Sequence, residues 1–161
     1  MTTELQSLEM LLKQAETERN EALARLQDAQ NRAQAAQAQS EQLASYRTSY
    51  QQRWSQQFAT RGAIEIVHCY QGFHDRLDQA IGQAQQAAAH TATQVEQMRA
   101  LLQERELRVA SVRKLIERRR AELRRAEDRR DQKLTDEAAQ RSGWNSALPS
   151  RMSNHPMFGG A

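Results

Sequence analysis

The chain has 161 residues, a formal net charge of +3, 27% charged and only 5% aromatic residues, six glycines and two prolines. With a mean hydropathy of -0.89, it cannot fill a conventional globular core; a composition rich in Ala, Gln, Glu, Leu and Arg fits long helices that bury a thin seam. No run approaches the roughly 20 apolar residues that a membrane-spanning helix needs, and the single cysteine, Cys69, excludes an intramolecular disulfide and fits a reducing compartment.

At the N-terminus, MTTELQSLEMLLKQAETER places Glu4 and Glu9 inside the only apolar stretch, with no basic residue ahead of it. That argues against a signal peptide and for a soluble, cytosolic protein. From Leu5 onward, seam residues recur at alternating steps of three and four: Leu5, Leu8, Leu12 and Ala15, then on through Leu26 and Leu43 to Tyr50 and Trp54. A second unbroken series runs from Leu77 and Ile81 through Val95, Val109 and Ile116 to Leu123 and Ala126. A strict heptad repeat sustained this long predicts a left-handed coiled coil, because the seam must keep facing its partner.

Between the two series lies FATRGAIEIVHCYQGF, Phe58 to Phe73, with Gly62 and Gly72. The bend is expected here, Gly62 offering a cap conformation and Glu65 a favourable charge in the first turn of the next helix. The fold class is therefore all-α: a long antiparallel two-helix coiled-coil hairpin over residues 1–141, bent near 58–73. Folding about Gly62 pairs positions whose numbers total 124, setting small residues against large ones, but it also sets Arg19 against Arg105. A register one heptad away, totalling 131, avoids that clash and needs a longer connection. The heptads leave both open. Residues 142–161, SGWNSALPSRMSNHPMFGGA, lose the periodicity and are expected to be disordered.

Candidate chemistry is sparse. There is no glycine-rich phosphate loop, dinucleotide fingerprint or HExxH motif, so no enzyme, cofactor or catalytic residue is expected. His68, Cys69 and His74 do not share a helix face, which argues against a metal site. Residues 1–90 hold 8 Lys/Arg against 10 Asp/Glu, and residues 91–161 hold 15 against 10. The basic run Arg113 to Arg130 could grip phosphates. Glu117, Glu122, Glu127 and Asp128 are threaded through it at pairing distances, however, and no aromatics interleave for base stacking. A solvated face or a protein-docking surface is favoured over a basic nucleic-acid-binding coiled coil. The aromatics are more telling. Gln39, Leu43, Tyr46 and Tyr50 occupy g, d, g, d on the first helix, and Phe73, Leu77, Ala80 and Ala84 do so on the second. A two-stranded seam needs a and d only. Tyr46 and Phe73 either widen the core near the bend or form an exposed edge that docks a partner.

Two stretches, LASYRTSYQQRW and HCYQGFHDRLDQAI, and the closing RRDQKLTDEAAQR resemble the flagellar export protein FliJ family, small coiled-coil components of the bacterial type III export apparatus. The resemblance implies a hairpin similar to the central stalk of rotary ATPases, with its terminal end in the hexameric flagellar export ATPase. An edge nearer the bend would lie against the cytoplasmic region of the export gate. Carried over by position, the gate edge is Gln39, Leu43, Tyr46, Tyr50, Phe73, Leu77, Ala80 and Ala84, with Ala84 standing where the family can have a larger polar residue. The ATPase contact is Asp131, Gln132, Lys133, Asp136, Glu137 and Arg141. Some members also bind export chaperones. No nucleic acid is implied, and membrane association at the flagellar base would be peripheral, through partners. A stalk protein of a virulence-type secretion system would share this architecture.

Overall fold

The computed structural model describes residues 2–60, 64–147 and 159. Its elements are two helices, α1 (Thr2–Thr60) and α2 (Ile64–Ala147), the all-α hairpin that the heptads predict. The chain divides into two units, Met1–Lys114 and Leu115–Ala161.

In the first unit α1 lies antiparallel on α2, and the seam is the predicted one. Every residue of both heptad series is buried or half-buried. Ala15, Ala22, Leu26 and Ala29 from α1 and Leu77, Ile81, Val95, Val109 and Val112 from α2 are almost wholly removed from water. Alanine on α1 against β-branched or larger residues on α2 lets the backbones approach without a void, and each buried Val, Leu or Ile is worth roughly 1.5–3 kcal/mol. The clearest layer packs Leu26 and Ala29 with Val95, flanked by Ala33, Met98 and Leu102.

That layer fixes the register near the total of 124, as do the Arg47–Asp78 ion pair and the Tyr50–Phe73 ring contact. The anticipated Arg19–Arg105 clash is dispersed by neighbours. Arg105 donates to Glu18, and Arg108 reaches the same carboxylate at 3.4 Å. Arg19 turns along its own helix to donate to the Asn20 side chain at 3.2 and 3.3 Å. One acidic residue beside the seam thus makes the tighter register tolerable.

The connection is shorter than the expected 58–73. Phe58 to Thr60 and Ile64 to Phe73 are helical, and residues 61–63, including Gly62, lie outside the described residues. Gly72 does not break α2: a Cβ there would meet nothing within 4 Å, so it is a solvent-facing helical glycine costing about 1 kcal/mol relative to alanine. Ring contacts on either side of it hold the turn helical. At the other end α2 runs past Arg141, the last residue of the expected hairpin, through Ser142 and Gly143 to Ala147. The remaining expected tail falls outside the described residues except for Gly159, which is exposed.

In the second unit Ile116 is buried and Arg119, Leu123 and Ala126 are half-buried, continuing the heptad. From Glu127 to Ala147 every residue is exposed.

Candidate partner-binding surfaces

Six of the chain's eight aromatic residues form one cluster near the connection. On α1, Tyr46, Tyr50, Trp54 and Phe58 follow each other at four-residue spacing, which aligns them along one helix face. Their ring centroids are 6.0, 5.7 and 5.3 Å apart in turn. From α2, Tyr70 enters between Tyr50, Trp54 and Phe58 at 5.9, 5.3 and 5.5 Å, and Phe73 lies 4.4 Å from Tyr50 and 6.5 Å from Tyr46. Offset and edge-on pairs of this kind add about 0.5–1.5 kcal/mol each beyond the area they bury.

The two sequence readings of these aromatics divide the cluster between them. Tyr50, Trp54, Phe58 and Tyr70 are half-buried and widen the core. Tyr46 at 49% and Phe73 at 36% exposure form its outer edge. Among the eight residues expected at the gate edge, the structure thus brings Tyr46, Tyr50 and Phe73 into contact. Gln39 is exposed, and Leu43, Ala80 and Ala84 are half-buried. Leu77 is only 7% exposed and belongs to the seam. Leu77→Ala should therefore cost about 2–4 kcal/mol, whereas Tyr46→Ala and Phe73→Ala should each cost about 1 kcal/mol or less, as read by chemical unfolding. Equal losses at all three would make the outer pair core as well.

A polar strip borders the aromatics. Arg47 on α1 lies 3.0 Å from Asp78 Oδ1, and His74 Nε2 lies 3.2 Å from Asp78 Oδ2, while the His74 ring stacks on Tyr70 at 5.7 Å. His74 Nδ1 is enclosed without a hydrogen-bond partner, and Asp78 Oδ1 has its charge partner in Arg47 without a well-angled hydrogen bond. With both side chains about 40% exposed, the Arg47–Asp78 pair orients the edge more than it stabilises the hairpin.

The expected ATPase segment has a different character. Asp131, Gln132, Lys133, Asp136, Glu137 and Arg141 are all helical and all exposed. At 100° per residue they distribute around the whole helix rather than along one face. Sequence reasoning missed Trp144, assigned there to the tail: it is on α2, 76% exposed, and with Glu137, Gln140, Arg141 and Asn145 it lines an open concavity of about 430 Å³. Its spacing from Glu137 and Arg141 was the available signal.

Among the described residues, no group of three His, Cys, Asp or Glu side chains could hold a metal ion, and no helix is long and apolar enough to cross a membrane. The sequence matches the family described as Flagellar FliJ protein over residues 4–148, spanning both helices, the aromatic cluster and the exposed end of α2. The chain belongs to the flagellar FliJ family. As a member it is a component of the flagellar type III export apparatus, and the helical hairpin is the form in which the family match is realised here. No curated protein and no solved structure matches the chain.

Proposed function

We propose that this FliJ-family chain is a non-enzymatic stalk and coupling factor. It contacts the hexameric export ATPase through the end of α2 and the cytoplasmic region of the export gate through the Tyr46–Phe73 edge. It acts in the cytoplasm, peripheral to the inner membrane, and export chaperones are further partners. The observation that carries this reading is the exposure of every residue from Glu127 to Ala147. A helix polar and solvated on all sides gains nothing from a core of its own. Charges distributed around it suit a partner that surrounds it: they steer and orient without the slow release of a large apolar interface. The gate assignment has separate support in Tyr46 and Phe73, which present apolar surface that the seam does not need.

The test is ATP hydrolysis by the purified flagellar export ATPase of the same organism, with the full chain and with a chain truncated after Arg130. Stimulation by the full chain that falls to the basal rate on truncation is expected. Equal stimulation by both would remove Asp131, Gln132, Lys133, Asp136, Glu137 and Arg141 from the contact. No stimulation by either, together with nanomolar DNA affinity that collapses with salt, would favour the nucleic-acid alternative. For the gate edge, Tyr46→Ala with Phe73→Ala should weaken binding to the gate's cytoplasmic region at least tenfold while circular dichroism stays unchanged.

A further inference from the structure

Among the described residues of the first unit, several cross-helix charges are matched. Arg105 and Arg108 meet Glu18, Arg113 meets Glu16 at 3.0 Å, and Arg47 meets Asp78. Between these levels Arg25 and Arg32 stand on α1 seven residues apart, and the polar side chains of α2 that line the same groove are Gln94 and Gln97, Glu96 being paired with Arg99 at 3.0 Å. Among the described residues neither arginine makes an ion pair or hydrogen bond within the chain, and Asp28, between them in sequence, is bonded to neither. The four side chains line an open groove of about 220 Å³ together with Asp28, Ala29 and Met98. Ala29 is buried in the seam and Met98 half-buried beside it.

We infer that this groove docks an acidic helix of a protein partner, one carboxylate to each guanidinium and a small side chain over Ala29. Seven residues along a helix are about 10.5 Å, so a helix carrying two acids at i and i+7 repeats the Arg25–Arg32 spacing. Guanidinium forks bind carboxylates bidentately, and Gln94 and Gln97 supply neutral donors and acceptors beside them. A nucleic-acid duplex, whose strands each carry a charge about every 3.4 Å along the axis, would bring phosphates near Asp28 as well as the arginines. A flat anionic membrane could not follow the concavity between two helices. Neither arginine belongs to the surfaces assigned to the ATPase or the gate, so this site stands apart from that reading.

The test uses the full chain and a fluorescein-labelled model helix of alanine and glutamine with two glutamates seven residues apart, titrated by fluorescence anisotropy at low salt. Controls carry glutamine in place of both glutamates, or the glutamates five residues apart and so on different faces. The phased helix should bind at least tenfold tighter than either control, and the preference should vanish in Arg25→Gln/Arg32→Gln, whose exposed positions leave circular dichroism unchanged. The charge-reversed chain, Arg25→Glu/Arg32→Glu, should instead prefer the same helix with two lysines. Absence of binding, equal affinity for the misphased helix, or undiminished binding by the glutamine variant would each overturn the inference. So would binding to anionic vesicles or single-stranded DNA that depends on the two arginines when binding to the phased helix does not.

Discussion

Tyr50→Ala should lower the local stability of the aromatic end of the hairpin by about 3 kcal/mol, at the lower end of the range for removing a large aromatic from a packed site. Tyr50 is the hub of the cluster, with ring contacts to Tyr46, Trp54, Tyr70 and Phe73. Its loss opens the space into which both α2 rings project. The unfolding is expected to be local, because a long hairpin opens in segments rather than as one unit. Amide hydrogen exchange is the appropriate measurement. Protection around Tyr50 and Tyr70 should fall roughly 100-fold, since each 1.4 kcal/mol is a factor of ten, while amides around Leu26 and Val95 keep theirs. A loss under threefold would mean that the rings lie against each other without contributing to the fold.

Glu18→Lys should be the most damaging single charge change. Glu18 is the acceptor for both Arg105 and Arg108 next to Arg19, and the Glu18–Arg105 contact is shielded, its side chains being 27% and 32% exposed. Losing a charged hydrogen bond of this kind costs about 1.5–3 kcal/mol, and a fourth cation at the same level adds repulsion. The deficit should shrink as added salt shortens the screening length below about 10 Å. The same variant tests the register. In a Cys69→Ser background, Ala29→Cys with Val95→Cys should form a disulfide under mild oxidation, whereas Ala36→Cys with Val95→Cys should not. Adding Glu18→Lys should shift cross-linking toward the second pair. Unchanged cross-linking would show that the apolar layers alone hold the register.

The seam was legible in the sequence because a heptad repeat is a local signal. Each residue's position on its helix follows from the helical period, so Leu26, Val95 and Val109 could be placed in the core before any partner was known. The hairpin followed from two such series interrupted once, and the family from the residues around Tyr46, Phe73 and Asp131. Connection length, register and the division of the aromatics were not legible, because each depends on what one helix meets on the other. Gly72 looks like a helix breaker in the sequence, yet it is helical, with Tyr70 and Phe73 on either side of it gaining ring contacts with α1. The Arg19–Arg105 opposition argued for a slipped register until Glu18 was seen to reach across. Tyr46, Tyr50, Phe73 and Leu77 lie on one predicted edge, but only three-dimensional packing separates the exposed pair from the core pair. Periodicity along one helix determined which residues seek burial; the side chains arriving from the other helix decided how far each of them is buried and which charges find partners.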